Sequence, residues 1–353
     1  MKNRINREIG SEFSYEFIKN SLNNNLFSFK NMDEIFTFSG RTAIETILNN
    51  LENVNKVLLP SYCCDSIIEP FRKKKMEINF YDVYFSSKLE MNLQINEDID
   101  LILWCNYFGS VNKMPDFQYF INNGGIIVED ITHSLLSKKQ YHNQSHYLVA
   151  SLRKWFPLIS GGYCCSMINK FKVRPEYDVP KEYINLKRSA MIKKSKYLKY
   201  HDIRLKEEYL KEFKEANSWL SGNYSNLKID SRSLRIINNI DLNNIIKKRK
   251  NNANIIYTYL NDLEGIKPLF KEINIDCPIF VPVIFKDKQS RNMVKNKLIE
   301  NNIYCPVHWP KSKEKCHSNL YDLELSLICD QRYNESDMVR MMEIISKIQK
   351  GWE

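Results

Sequence analysis

The residues best suited to chemistry lie in one segment of the sequence, residues 124–163. The segment holds a carboxylate, Asp130, with His133 close behind it, and a hydroxyl, Ser151, followed by Lys154. A lysine amine is a nucleophile for an aldehyde, and a carboxylate can keep a ring nitrogen protonated. These residue types therefore indicate a site for an anionic cofactor with a protonatable ring, and Lys154 is the predicted nucleophile.

Two short apolar runs, at 126–128 and 147–150, come directly before these polar residues. Each run is typical of a strand buried in a parallel sheet. Polar groups that follow such strands gather at the carboxyl edge of the sheet, which is where open α/β sheets bind ligands. We therefore expect Asp130 and Ser151 to lie close together.

A second feature suited to binding an anion is the turn at Ser39 and Gly40, which leads into a helical pattern over 42–48. The first N–H groups of a helix have no partner within the helix, and together with the helix dipole they attract anions. An ordinary N-cap has the same sequence pattern, so both interpretations stay open on the sequence alone.

Strands and helices alternate along the rest of the chain, which predicts a parallel sheet covered by helices. Strands are expected at 56–59, 78–83, 101–105, 163–168 and 279–285, and helices at 67–74, 115–122, 181–217, 230–260, 288–301 and 335–349. A short N-terminal helix is predicted over 11–22 from the spacing of Phe13, Phe17 and Ile18.

The composition is that of a globular protein large enough for more than one domain. The chain has 353 residues, and the 43% that are hydrophobic can fill a sizeable core. No apolar run of about 18 residues occurs, and the N-terminus lacks the apolar core of a secretory signal, so no membrane span is expected. The nine cysteines lack the spacing of a zinc site. We therefore predict buried reduced thiols, no metal and a cytoplasmic location.

Five short motifs, in order along the chain, resemble those of the fold-type-I pyridoxal-phosphate (PLP) enzymes and, within them, the DegT/DnrJ/StrS aminotransferase family. They are Ser-Gly-Arg-Thr-Ala at 39–43, Leu-Pro-Ser-Tyr at 59–62, Asn-Tyr-Phe-Gly at 106–109, Glu-Asp-Ile-Thr-His-Ser at 129–134, and Ser-Leu-Arg-Lys at 151–154 followed by Gly161-Gly162. Each motif is short, and their order and spacing make the resemblance specific.

The resemblance implies an α/β fold with two domains. Residues 1–250 are expected to form the large PLP-binding domain around a mainly parallel sheet, and 251–353 a small C-terminal α+β domain. It also implies a homodimer, because the family builds each active site from two subunits. An asparagine in front of the helix that crosses to the small domain contacts the partner's phosphate group in the family, and Asn223 is the candidate here.

The resemblance further implies a role for most of the polar residues named above. Lys154 is expected to form a Schiff base with the cofactor, and Asp130 to face its pyridine nitrogen. The cofactor phosphate is expected to be held by Gly40, Arg41, Thr42 and Ser151, although the family more often has a small hydroxyl residue in place of the arginine.

Two further cofactor contacts are less directly implied. Tyr62 is the residue chosen to stack on the cofactor ring, while a strict alignment would place Cys64 there. His133 stands where the family commonly has a glutamine near the ring, and it can form a similar hydrogen bond. In the C-terminal part, His308, Trp309 and Arg332 are the candidates for substrate contact, although packing of a proline-rich loop would explain the first two equally well.

The net charge of +10, from 52 basic and 42 acidic residues, fits either a solvated surface or the steering of an anionic substrate. No nucleic-acid-binding module is recognisable.

The resemblance implies a PLP-dependent aminotransferase of nucleotide-sugar or polysaccharide biosynthesis. It would move an amino group from glutamate onto a keto-sugar nucleotide or a related small carbonyl compound. A non-catalytic protein that keeps the fold, or a PLP-dependent lyase or decarboxylase, remains an alternative.

Overall fold

The computed structural model describes residues 7–16, 32–95, 98–110, 113–138, 140–270, 276–311 and 317–349. The strands in these ranges are β1 (Ile9–Gly10), β2 (Asp33–Thr37), β3 (Lys56–Pro60), β4 (Glu77–Phe85), β5 (Leu89–Asn92), β6 (Leu101–Cys105), β7 (Ile126–Asp130), β8 (Tyr147–Ser151), β9 (Gly162–Ser166), β10 (Ile266–Pro268), β11 (Val281–Phe285), β12 (Ile303–Tyr304) and β13 (Glu324–Leu327). The helices are α1 (Gly40–Leu48), α2 (Asp65–Lys73), α3 (Gln118–Asn122), α4 (Lys181–Tyr200), α5 (Ile203–Gly222), α6 (Ser231–Asn239), α7 (Leu242–Leu260), α8 (Lys288–Glu300), α9 (Leu320–Leu323) and α10 (Glu335–Gln349).

The largest sheet in the described ranges has eight strands in the order β2-β9-β8-β7-β6-β3-β4-β5. Strands β8, β7, β6, β3 and β4 pair in parallel, whereas β9 is antiparallel to both of its neighbours and β5 is antiparallel to β4. Strand β2 therefore runs in the same direction as β8, and the carboxyl ends of β2, β3, β6, β7 and β8 lie along one edge. The predicted α/β fold with a mainly parallel central sheet is confirmed.

Helices cover both faces of this sheet, and this is why its inner strands are apolar runs instead of alternating patterns. On one face, side chains of β3 and β6 share a core with Ile44 and Ile47 of α1 and Phe71 of α2. On the other face, side chains of β8 pack with Ile236 of α6 and Ile245 of α7. Full burial of each such side chain contributes about 1.5–3 kcal/mol to folding.

The C-terminal part has its own core around the antiparallel sheet β10-β11-β13, packed against α7, α8 and α10. The N-terminal strand β1 joins this part, because Ile9 and Gly10 pair in parallel with Ile303 and Tyr304 of β12. Ile9 is fully buried in the same core. The start of the chain therefore packs against residues close to its end, an arrangement that the sequence pattern did not indicate.

Three predicted helices differ from those observed. The helix predicted over 181–217 is in fact two helices, α4 and α5, because His201 ends α4 in the left-handed conformation and the Asp202 side chain caps α5 by accepting from the N–H of Arg204. The helix predicted over 230–260 is in fact two helices, α6 and α7. The side chains of Asp230 and Asp241 each accept a hydrogen bond from a backbone N–H of the following turn, so each aspartate is the N-cap of a new helix. Helix α7 runs without a break through residue 250, where the boundary between the two domains was predicted.

The N-terminal segment 11–16 is not helical. Two of its backbone carbonyls, those of Ser11 and Glu12, accept hydrogen bonds from the Arg332 guanidinium, which therefore takes the place of helical N–H donors. The remainder of the helix predicted there, including Phe17 and Ile18, lies outside the described residues.

No helix within the described ranges is long and apolar enough to cross a membrane. Likewise, the residues that the structure describes contain no group of three or more His, Cys, Asp or Glu side chains able to hold a metal ion. The cysteines in these ranges are free thiols, and most of them are buried.

The second of the paired glycines after Lys154, Gly162, is explained by a close approach of backbone. Gly162 of β9 pairs with Thr37 of β2 on one side and with Ser151 of β8 on the other. A Cβ atom added to Gly162 would lie 2.1 Å from the backbone oxygen of Ser39, which is closer than any real contact. A side chain at this position would therefore push away the turn that begins α1.

We expect Gly162→Ala to lower the free energy of unfolding by about 3 kcal/mol, because the added methyl group overpacks this contact. Urea unfolding followed by circular dichroism measures the change. Gly222→Ala at the end of α5 is the matched control, since nothing lies within 4 Å of its added Cβ, and it should be neutral or slightly stabilising. Equal effects of the two substitutions would contradict the close approach of β9 to Ser39.

Candidate active site

A cavity of about 290 Å³ opens at the carboxyl edge of the large sheet. It is bounded by the first residues of α1, the ends of β7 and β8, and the start of α2. The predicted residues Gly40, Arg41, Asp130, Ser151 and Lys154 all line it. The structure therefore brings together side chains from motifs that lie more than a hundred positions apart in the sequence.

One side of this cavity is suited to bind an anion. Ser39 is the N-cap of α1, and its hydroxyl accepts a hydrogen bond from the N–H of Thr42. A Cβ atom on Gly40 would lie 3.3 Å from the Cβ of Ser151, so a glycine lets the end of β8 come close to the helix. The free N–H groups of the first helical turn and the Ser151 hydroxyl can then bind the same anionic group.

The neighbours of Gly40 have different environments. Arg41 lines the cavity, but its guanidinium Nε donates to Glu69 Oε2 at 2.5 Å. Thr42 is buried behind the turn, where its hydroxyl donates to the backbone oxygen of Tyr224 at 2.7 Å. Because that hydroxyl and its N–H are already bonded, Thr42 holds the turn in shape, and it is not among the described residues that line the cavity.

The carboxylate of Asp130 lies at the end of β7 and is buried. Its Oδ1 accepts a hydrogen bond from the N–H of Thr132 at 2.8 Å. Burial raises the pKa of Asp130 above its ordinary value, although the hydrogen bonds from Thr132 and the nearby Lys154 oppose the shift. A carboxyl group with a raised pKa shares a proton readily with a basic ring nitrogen.

Lys154 ends a short 3-10 turn that follows β8, and its Nζ lies 3.2 Å from Nε2 of His133. The other ring nitrogen of His133, Nδ1, accepts a hydrogen bond from the N–H of Phe108. Burial lowers the pKa of His133 well below its ordinary value, so the ring is neutral and carries one proton, on Nε2. The Nε2 atom of His133 therefore faces Lys154 Nζ.

Trp309 closes the space around this lysine. Its ring stacks on that of His133 at 5.8 Å, and Lys154 Nζ lies 5.5 Å from the ring centroid. Tyr62 is fully buried and meets the Trp309 ring edge-on at 4.9 Å. Cys64, the alternative stacking residue, lines the cavity, whereas Tyr62 is not among the described lining residues. Tyr62 therefore supports Trp309 from behind.

A second cavity, of about 400 Å³, lies between the two parts of the molecule and shares Glu12, Arg153 and Lys154 with the first. It also contains the substrate candidates His308 and Arg332. Its charged lining side chains are Arg153, Lys154, Arg249 and Arg332 on the basic side and Glu12 and Asp330 on the acidic side. Such an excess of basic groups favours anionic ligands.

Two of the residues predicted to contact substrate, His308 and Arg332, are bonded to neighbouring side chains. His308 Nδ1 lies 2.7 Å from the Ser326 hydroxyl, which in turn donates to the buried carboxylate of Glu324. The Arg332 guanidinium is paired with Asp330 at 2.6 Å. Asn223 is exposed at the end of α5, and its amide donates to the backbone oxygen of Trp219. It is outside the described lining of both cavities.

Sequence reasoning missed three residues of this site. Glu12 lies far from the motifs in the sequence and had no local signal. Thr132 lies within a motif, and its hydroxyl accepts from the N–H of Ser151, so it joins the ends of β7 and β8. Arg153 comes directly before Lys154 but had no assigned role. The hydroxyl at position 132 was the one signal that could have been used.

Several solved structures share this fold. A protein described as a sugar aminotransferase from Streptococcus pneumoniae, in its PLP form, matches with a TM-score of 0.64 and 12% identity over 97% of this chain and 93% of that chain. NtdA from Bacillus subtilis, with bound PMP, matches with a TM-score of 0.58 and 13% identity over 90% of this chain and 73% of that chain. DesI, in the presence of its TDP-sugar product, matches with a TM-score of 0.56 and 11% identity over 88% of this chain and 79% of that chain.

No protein-family model and no curated protein sequence matches the chain. At 11–13% identity the structural matches establish the fold, and it is that of PLP-dependent aminotransferases. The fold implied by the resemblance to the DegT/DnrJ/StrS family is therefore confirmed.

Burial raises the pKa of Glu324, beneath His308, to about 8. Because the folded protein binds this proton more tightly than the unfolded chain, the stabilisation is present below the ordinary pKa and is lost as pH rises through about 8. We expect wild-type protein to lose more unfolding free energy than Glu324→Gln between pH 5 and pH 9, by on the order of 3 kcal/mol.

Urea unfolding at a series of pH values tests this expectation. Glu335→Gln, which changes an exposed glutamate at the start of α10, should keep the wild-type pH profile. The other ionisable groups around Glu324 include Arg291, His308, Tyr62 and Cys305, and they are retained in the variant. Parallel pH profiles for Glu324→Gln and wild type would show that Glu324 does not titrate in this range.

Proposed function

We propose that this protein is a PLP-dependent aminotransferase. The observation that carries the proposal is the hydrogen bond between His133 Nε2 and Lys154 Nζ, which holds the lysine amine in the same cavity as an anion-binding turn and a buried carboxylate. A nucleophilic amine, a phosphate site and an acid for a ring nitrogen are the three requirements of this cofactor.

The residues around the cavity fit PLP. Gly40 and Ser151 would hold the phosphate, Asp130 would face the pyridine nitrogen, and Lys154 would bind the aldehyde carbon. The gap between Gly40 and Ser151 supports this fit, since a side chain on Gly40 would fill the space where the two elements meet. When bound, the cofactor supplies an electron sink for negative charge that develops on the α-carbon of an amino acid.

The chain's own groups would then handle the protons. Lys154 Nζ would take the proton from the substrate α-carbon as a general base. It would then give that proton, as a general acid, to the cofactor carbon that carried the aldehyde. His133 would hold Nζ in position through its Nε2–H, and Phe108 N–H keeps that ring in the required tautomer. Trp309 would exclude water from this side of the lysine.

We further propose that the amino donor is glutamate and that the acceptor is a keto-sugar nucleotide or a related small carbonyl compound. The excess of basic side chains in the second cavity supports an anionic acceptor. The structural similarity to DesI, which was solved with a TDP-sugar product, supports the same class. His308, Trp309 and Arg332 would contact the acceptor. The proposal includes a cytoplasmic homodimer in which Asn223 contacts the partner's cofactor phosphate.

Lys154→Ala should abolish covalent attachment of the cofactor. We expect borohydride to fix PLP to wild-type protein at Lys154, as located by peptide mass spectrometry, and not to fix it to the variant. Conversion of the PLP form to the PMP form by glutamate should fall by at least about 10³-fold, because both the nucleophile and the proton carrier are lost. Lys214→Ala, an exposed lysine in α5, is the control. Wild-type conversion by Lys154→Ala would disprove the assignment.

Asp130→Asn should separate cofactor attachment from turnover. The amide is nearly the same size as the carboxylate, so borohydride should still fix PLP at Lys154. Conversion by glutamate should slow by about 10²–10³-fold, because an uncharged ring stabilises negative charge poorly. Stopped-flow absorbance measures this rate. A rate equal to that of wild type would mean that Asp130 does not act on the cofactor ring.

A further inference from the structure

Arg153 lies where the two cavities meet, and its side chain lines both of them. It comes directly before Lys154 in the 3-10 turn, so its position is set by the same backbone. None of the roles proposed above uses this guanidinium.

The Arg153 side chain has no hydrogen bond or ion pair to any residue that the structure describes, and its Nε is buried without a partner. The other two arginines of the second cavity are bonded. Arg249 donates to Gln331 Oε1 at 2.8 Å and to the backbone oxygen of Ile279, and Arg332 is paired with Asp330. A buried guanidinium donor without a partner is costly, which points to a ligand.

Glu12 lines both cavities together with Arg153, but its carboxylate already has hydrogen-bond partners. It accepts from Lys187 Nζ and from Asn217 Nδ2, both at 3.3 Å. Burial alone would raise the pKa of Glu12, whereas Lys187 and Arg153 outweigh it and lower the pKa to about 2. Among the described residues, Glu12 is paired with Lys187 and Asp330 with Arg332, which leaves Arg153 without an ion-pair partner.

We propose that Arg153 binds the α-carboxylate of the amino donor, an inference that rests on the proposed aminotransferase function. The planar guanidinium fork matches a carboxylate with two parallel hydrogen bonds. The α-carboxylate is attached to the carbon whose proton Lys154 must take, so its partner has to lie next to that lysine. The cofactor phosphate already has the α1 turn and Ser151 as its site.

The test measures donor binding separately from cofactor binding. The PLP-loaded wild type, Arg153→Gln and Arg153→Lys are mixed with glutamate, and the half-reaction rate is recorded against donor concentration. Glutamate α-amide, which lacks only the negative charge at the α-carboxylate, is the comparison donor. Arg235→Gln, which removes an exposed arginine of α6, is the matched control.

We expect Arg153→Gln to raise the half-saturating glutamate concentration by about 10–100-fold, the usual effect of losing a charged hydrogen-bonded pair. The preference for glutamate over its α-amide should fall by a similar factor, and Arg153→Lys should retain part of both. The affinity for PLP, titrated by fluorescence quenching, should stay within about twofold of wild type. Arg235→Gln should match wild type in every measurement.

Two results would overturn the proposal. An unchanged preference for glutamate over its α-amide would show that Arg153 does not bind the α-carboxylate. A loss of PLP affinity with unchanged donor dependence would assign Arg153 to the cofactor phosphate instead. If wild-type protein does not react with glutamate, the proposed function fails. Calorimetric titration of PLP-loaded protein with 2-oxoglutarate still tests Arg153 in that case. Equal binding of 2-oxoglutarate by wild type and Arg153→Gln would reject Arg153 as the carboxylate-binding residue.

Discussion

The hydrogen bond from His133 to Lys154 is the interaction on which the rest of the site depends. It holds the predicted nucleophile at a fixed place in the wall of the first cavity. The buried histidine is itself fixed, because its Nδ1 accepts from the N–H of Phe108 and its Nε2 faces Lys154. The Trp309 ring stacks on His133 beside this contact.

The large sheet places the partners of this pair. Strands β7 and β8 are parallel neighbours, so their carboxyl ends present Asp130 and Ser151 side by side. Thr132 connects the two ends through its hydroxyl, and Gly162 allows β9 and the α1 turn to approach without a side chain between them. Small polar residues and glycine therefore determine the geometry here, while bulky apolar residues provide the stability of the layers.

Most charged side chains that line the second cavity are paired with a group that neutralises or binds them. Buried ions are tolerated when they are paired, as Arg332 is with Asp330 and Lys187 with Glu12. Within the part of the chain that the structure describes, Arg153 is the exception, and an unpaired charge beside Lys154 indicates where a ligand supplies the missing partner. The N-terminal segment contributes to this balance, because pairing of β1 with β12 delivers Glu12 to the cavity wall.

The sequence by itself determined the parallel sheet, the turn at Gly40 and the positions of Asp130 and Lys154, because these depend on local periodicity and on residues next to strand ends. The tertiary structure alone decided three other matters. The tautomer of His133 depends on a backbone N–H of another loop, Thr42 is turned away by the Tyr224 carbonyl, and Tyr62 is buried behind Trp309. Such contacts join residues far apart in the chain, and no local pattern encodes which neighbour a side chain will meet.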